Sequence, residues 1–266
     1  MNKVISSVLA ASLCLASVGQ LQANPTNNKS TAAKKLGLST GVKWTQQSKE
    51  FPLITSYLYQ QATQSLKERQ LPKTPWLVIM DVDETLLNNS DYNKRLDLTG
   101  GSYTSDSWRA WVQEKNATAI PGAIEFVKTV IELGGQLAFV TNRNHLDDGD
   151  TWQNLVSVGF PIDAKNTCLT GKRPQDKKAI DHKTIINDKD LRRNEFTSGK
   201  ATQCWAQDKA LKTLWNRDFT LVMQVGDNIE DIAQTTQKNA DISKLLQRQA
   251  QDILILPNAM YGSWGH

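Results

Sequence analysis

The sequence predicts an α/β fold, a parallel sheet with flanking helices and a small, mainly helical cap, on three observations. Trp76-Leu77-Val78-Ile79-Met80 is a short, continuous apolar run after a proline, the pattern of a strand buried on both faces of a parallel sheet. Gln136 to Val140 and Leu221 to Val225 repeat it, and each of the three runs ends abruptly in polar residues. Between the first two, Pro121 to Leu133 places Ile124, Val127, Val130 and Ile131 on one helical face, with Gly134 as its stop. Strand, helix, strand make a βαβ unit, and the arrangement is Rossmann-like.

Taken in order, the chain opens on a segment that does not belong to this fold. Lys3 gives a positive start, Val4 to Val18 is uncharged and largely apolar, and Leu21-Gln22-Ala23 ends in the small residue that signal peptidase favours. Residues 1–23 therefore read as a signal peptide, with export to the periplasm or beyond the cell. The apolar run falls short of the ~20 residues of a membrane-spanning helix. Cys14 lies within it, but Leu13 before it is bulkier than a lipid-modified site prefers, which makes a lipid-anchored outer-membrane form the weaker reading. Residues 24–41 are polar and read as a flexible lead-in. Residues 42–266 form the core domain, with the cap contributed by about 42–72 and 88–119. Phe51, Ile54, Tyr57, Leu58, Ala62 and Leu66 recur at three- and four-residue spacings and predict one or two amphipathic helices before Pro72 and Pro75 break the pattern. The stretch from Asn88 to Ala119 is too long for a tight βα turn and is placed to cover the strand ends.

Composition excludes several classes. The chain has 266 residues, 39% hydrophobic and 22% charged, enough for a sizeable core without staples. Its formal net charge of +4 is scattered, with no basic run to track a nucleic-acid backbone. Beyond Cys14, Cys168 and Cys204 lack zinc-site spacing; an oxidising compartment would permit them to pair, and the sequence leaves open whether they do.

In open parallel sheets, ligands bind outside the carboxyl ends of the strands, so the three polar clusters converge on one crevice. Asp81-Val82-Asp83-Glu84-Thr85-Leu86 sets two carboxylates two residues apart beside a buried strand, and Asp227 follows the third run. Burying that much negative charge demands compensation. Mg²⁺ supplies it, because this hard cation takes a few carboxylate and carbonyl oxygens beside a substrate phosphate. Asp231, one helical turn on, is placed to hold a metal water or orient a neighbouring cation.

The ordered set DVDETL, VTN and GDNIED, each after its own predicted strand, resembles the motifs of haloacid-dehalogenase-type phosphohydrolases. Asn88 to Tyr92, the Trp108 and Trp111 pair, Pro121-Gly122-Ala123 and Leu256 to Gly262 resemble class C acid phosphatases, which include bacterial lipoprotein 5′-nucleotidases. That resemblance implies an Mg²⁺-dependent phosphomonoesterase acting through an aspartyl-phosphate. Asp81 would be the nucleophile and Asp83 the acid and base. Asp81, the backbone carbonyl of Asp83 and Asp227 would hold Mg²⁺, and Thr141 would bind phosphate. Lys189, followed closely by Arg192 and Arg193, matches the family's lysine, with Lys172 as the other candidate and Lys177 and Lys178 in a more variable-looking loop. Tyr92, Trp108 and Tyr261 fall where relatives present aromatic rings, and nucleoside monophosphates or aryl phosphates fit such rings. Arg143 pairs with a nearby acid on this reading and stays outside the catalytic set. The expected partner is a small-molecule phosphate monoester, with a homodimer left open. The competing class is an exported nucleotide- or cofactor-binding module with little turnover. A phosphorylated receiver domain ranks below it, having no use for a signal peptide or an acid at Asp83.

Overall fold

The computed structural model describes residues 37–179, 189–201, 203–205 and 214–265. The signal peptide at 1–23 with Cys14, the lead-in up to residue 36 and the side chains of Lys177 and Lys178 lie outside the described residues. Helices α1 (Thr40–Gln47) and α2 (Glu50–Glu68) precede β1 (Trp76–Met80), and a small antiparallel ribbon, β2 (Leu87–Asn88) with β3 (Thr118–Ala119), brackets α3 (Ser90–Thr99) and α4 (Ser105–Glu114). Then come α5 (Ala123–Glu132), β4 (Gln136–Asn144), α6 (Asp148–Ser157), β5 (Thr167–Lys172), α7 (Pro174–Ala179), α8 (Asp190–Thr197), β6 (Thr220–Gly226), α9 (Ile242–Arg248) and β7 (Ile253–Ile255). The main sheet has the order β5-β4-β1-β6-β7, and every neighbouring pair is parallel.

The central strand explains the architecture. All five residues of β1 are buried, and because side chains alternate across a strand they feed two cores. Val78 and Met80 join Leu137, Phe139, Met223 and Val225 beneath Tyr59, Ala62 and Leu66 of α2 and Phe126, Val127 and Val130 of α5. Leu77 and Ile79 pack the opposite face with Ala138, Val140, Phe196, Trp215 and Phe219. Gly134 ends the α5 turn at φ +81°, a conformation costly for any residue with a side chain.

Several boundaries differ from expectation. Helix α1 begins at Thr40, inside the expected lead-in, and Gly41 lies so close to the Ala259 backbone that no side chain fits between them. Strand β4 continues past Val140 to Asn144, carrying Thr141 and Asn142 on the strand itself. Strands β5 and β7 fall where no strand was expected, at the two edges of the sheet. Residues from 88–119 overhang the strand ends, whereas α2, within 42–72, lies against α5 and β7 instead.

Cys168 on β5 pairs with Cys204, with a Cα–Cα distance of 5.1 Å and a sequence separation of 36. The bridge closes the excursion that carries α7 and α8, and Trp205 next to it donates its N–H to Leu169 O at 2.8 Å. Reducing the bridge, or replacing both cysteines by serine, is expected to lower unfolding stability by about 2–4 kcal/mol. Urea unfolding of the oxidised and reduced protein checks this, and coincident midpoints would contradict it.

Candidate active site

Asp81 leaves the end of β1 with its N–H donated to Val225 O at 2.9 Å, which fixes the backbone between the strands. The loop then folds back tightly: Glu84 takes a positive φ of 53°, and Leu86 and Leu87 both donate to Val82 O. Asp227 follows β6, accepting from Thr85 Oγ1 at 3.2 Å on one oxygen and from Asn258 Nδ2 at 2.8 Å on the other. Asp231 closes a single 3₁₀ turn, Ile229–Asp231, that Asn228 caps. Lys189 immediately precedes α8, and its Nζ donates at 2.6 Å to Asp81 Oδ1 and at 2.6 Å to Asp231 Oδ1.

One carboxylate oxygen from each of Asp81, Asp227 and Asp231 lies within 4.8 Å of the others. Burial pushes Asp81 up to about 7; Lys189 pulls it down, while Asp231 and Asp83 push it further up. Burial, then Asp231 and Asp81, hold Asp227 well above the usual carboxylate range. Burial acts to lower Lys189, but Asp231 and Asp81 outweigh it and raise the ammonium above its ordinary value. Three clustered carboxylates share the Lys189 ammonium, and when ionised they carry more negative charge than that one cation balances. The donor set is all oxygen, and that charge matches a hard divalent cation such as Mg²⁺. Asp83 is expected to offer its backbone carbonyl; its carboxylate is engaged by Arg143 and Asn89, and Asp231 supplies the third carboxylate of the cluster.

Asp83 Oδ1 accepts from Arg143 Nε at 2.9 Å, Arg143 Nη2 at 2.7 Å and Asn89 Nδ2 at 2.9 Å. The Arg143 guanidinium is 1% exposed, so the pair is buried on its basic side. Asn89 Oδ1 in turn accepts from Trp111 Nε1 at 2.8 Å, tying the loop after β2 to α4. Thr141 is fully buried; it accepts from Arg143 N–H at 3.1 Å and its hydroxyl lies 3.5 Å from Asp83 Oδ2. Arg192 of α8 braces this strand end from behind, donating to the Thr141 carbonyl and, at 3.0 Å, to Asn142 Oδ1.

Asp81, Asp83, Asp227 and Lys189 open on one crevice of about 460 Å³, and Tyr92, Trp108 and Tyr261 line it with them. Tyr92 packs edge-on to Trp108 at 5.0 Å, and its hydroxyl meets Ser107 Oγ at 2.9 Å. Thr141 lies behind the wall, where Asn142 is the lining residue, and Lys172 at the end of β5 does not line the crevice. Three residues beyond those singled out above belong to the site. Tyr103 lines the crevice, Asn89 supports Asp83 and Asn258 supports Asp227. Asn89 and Asn258 had a sequence signal, within the Asn88 to Tyr92 and Leu256 to Gly262 motifs, and Tyr103 had none.

Fold and site together define an α/β protein whose parallel strands end in a lysine-countered carboxylate cluster under an aromatic wall. The chain belongs to the HAD superfamily, subfamily IIIB (Acid phosphatase), whose family model matches residues 3–264. Its fold is that of the class C acid phosphatase from Bacillus anthracis, with a TM-score of 0.65 at 22% identity over 84% of each chain. The same enzyme with tungstate bound gives 0.62, again at 22% identity over 84% of each chain. The chain spans about half the length of the curated relatives it matches, or less. "Stem 28 kDa glycoprotein" of Glycine max is 23% identical over 48% of this chain and 50% of its own length. "Acid phosphatase 1" of Solanum lycopersicum is 29% identical over 40% of this chain and 41% of its own.

Proposed function

We propose that this chain is an exported, Mg²⁺-dependent phosphomonoesterase of acid-phosphatase type that works through an aspartyl-phosphate on Asp81. The observation that carries the reading is the meeting of Asp81, Asp83 and Lys189 in one crevice with the Asp227 and Asp231 carboxylates. Asp81 attacks phosphorus and the P–O ester bond breaks, while Asp83 gives its proton to the departing oxygen, so an alcohol leaves. Asp83, now a carboxylate, takes a proton from water, whose oxygen attacks the same phosphorus. Inorganic phosphate departs and Asp81 is regenerated. Covalent catalysis of this kind divides one hard displacement into two easier ones, and the proton transfers contribute about 10²–10⁴-fold.

The three donors on Asp83 Oδ1 hold that carboxyl in one orientation and leave Oδ2 for proton transfer. Lys189 balances charge on the nucleophile and on the incoming phosphoryl group. Asp81, Asp227 and the Asp83 carbonyl, beside Asp231, would hold Mg²⁺, which would supply electrostatic stabilisation of the transferring group. Thr141 steadies the strand end that faces the phosphate. The aromatic wall favours aryl phosphates and nucleoside monophosphates, each good ring contact adding ~0.5–1.5 kcal/mol. Residues 88–119 serve as the cap, and residues 1–23 direct export to the periplasm or beyond. Among the described residues, no helix is long and apolar enough to cross a membrane.

Phosphate release by the mature chain from p-nitrophenyl phosphate and a panel of nucleoside monophosphates tests the reading. Chelation by EDTA is expected to lower turnover by about 10²–10³-fold, and added Mg²⁺ to restore it. Release insensitive to EDTA would overturn the metal assignment. A folded, metal-loaded protein that released nothing across the panel would favour a binding module.

A further inference from the structure

We propose that Asn258 is a positioning residue that holds the cation-binding carboxylate of Asp227 and the aromatic side chain of Tyr261 in one frame, so that metal affinity and ring preference depend on a single amide. This rests on the phosphatase reading above and deepens it.

The chain after β7 is drawn beneath the Asp227 loop, because Leu256 donates its N–H to Gly226 O at 2.8 Å. Two residues on, Asn258 uses both ends of its side chain. Nδ2 donates to Asp227 Oδ2 at 2.8 Å, while Oδ1 accepts from Met260 N–H at 2.9 Å and Tyr261 N–H at 3.5 Å. An ionised carboxylate only accepts and a backbone N–H only donates, so the amide has one workable orientation. The bond to Met260 closes a turn in which the side chain stands in for backbone, the usual reason for asparagine at such a position. That turn delivers Tyr261 to the crevice wall. Ser263 Oγ, donating to Asn228 Oδ1 at 2.6 Å, fastens the same hook to the loop a second time.

Asp227 therefore receives one side-chain donor on each oxygen, Thr85 and Asn258, and the two differ in what else they touch. Thr85 belongs to the loop after β1, where its carbonyl accepts from the Tyr59 hydroxyl at 2.7 Å, whereas Asn258 organises the C-terminal hook. Hydrogen bonds that orient a ligating carboxylate are typically worth 10–100-fold in metal affinity. An amide that also sets the Tyr261 backbone couples that affinity to the substrate wall.

Three kinds of variant separate the roles. Mg²⁺ binding is measured by calorimetry without substrate, and the KM of p-nitrophenyl phosphate relative to glycerol phosphate at saturating Mg²⁺, with melting temperatures alongside. Thr85→Val is expected to raise the Mg²⁺ Kd about tenfold or more and leave the aryl preference unchanged. Tyr261→Ala is expected to leave the Kd unchanged and reduce the aryl preference by about 2–10-fold. Asn258→Ala, and Asn258→Leu with its retained volume, are expected to shift both quantities in a folded protein. Asn258 variants that shift only one, or neither, while the wild type binds Mg²⁺ and hydrolyses both esters, would overturn the coupling alone. A wild type that bound no Mg²⁺ would overturn the metal reading and the coupling with it.

Discussion

Asp81→Asn is expected to reduce phosphate release by about 10⁴–10⁶-fold, the range seen when an enzyme loses its nucleophile, while the protein stays folded. The amide has nearly the shape of the carboxylate but no anionic oxygen with which to attack phosphorus. The water that Asp83 would activate is then left with no aspartyl-phosphate to attack. The fold tolerates the change because of how Asp81 is paid for: burial pushes its carboxyl up to about 7, and Asp231 and Asp83 add repulsion. Asparagine removes that repulsion while Lys189 keeps its 2.6 Å contact with Asp231. The melting temperature of the variant should lie within a few degrees of the wild type. Rapid acid quench after mixing with labelled substrate gives a second readout, with label retained on wild-type protein and absent from the variant. Turnover within tenfold of wild type would remove Asp81 from the chemistry.

The legible part of this protein was local. The three apolar runs that became β1, β4 and β6 were readable because central parallel strands are apolar throughout, and the carboxylates stood directly behind two of them. The edge strands were not. Thr167–Lys172 has only Cys168 and Leu169 as apolar residues before Gly171, and Ile253–Ile255 is three residues long, too short for a period to register. Side-chain partnerships across the chain were less legible still. Lys189 reaches Asp81 across 108 positions and Asp231 across 42, and Arg143 reaches Asp83 across 60, distances at which spacing carries no information. Resemblance to a family favoured Lys189 over Lys172, and the geometry places Lys189 against the cluster. Tyr103 had no sequence signal, because its place depends on how the turn between α3 and α4 lies over the strand ends. The Cys168–Cys204 pairing needed the register of β5 against the chain at Trp205, which no local pattern contains.

Lys189→Met should be the most destabilising single change in the site, and its cost should depend on pH in a definite direction. Removing one partner of a buried ion pair leaves uncompensated charge, typically at about 3–5 kcal/mol, and here the ammonium serves both Asp81 and Asp231. In the metal-free protein the carboxyl of Asp81 stands at about 7 against 3.8 for an ordinary aspartate. Between those values the folded state holds a proton that the unfolded state has released, so this group's contribution to stability is greatest below about pH 3.8 and falls as pH rises towards about 7. Without Lys189, which pulls that carboxyl down, the folded-state value moves higher and the loss extends further into the alkaline range. Lys189 itself stays charged throughout, since its neighbours raise it. Urea unfolding in EDTA at about pH 5 and about pH 8 should therefore give a larger cost for the variant at the higher pH, where Asp81 adds its charge to that of Asp231, than at the lower one, where Asp231 alone loses its partner. Mg²⁺ added at the higher pH should recover part of that cost, because the cation and the lost ammonium answer the same carboxylates. Equal destabilisation at both pH values would mean that the charge of Asp81 does not depend on Lys189, and the account of the Asp81–Lys189 pair would fall with it.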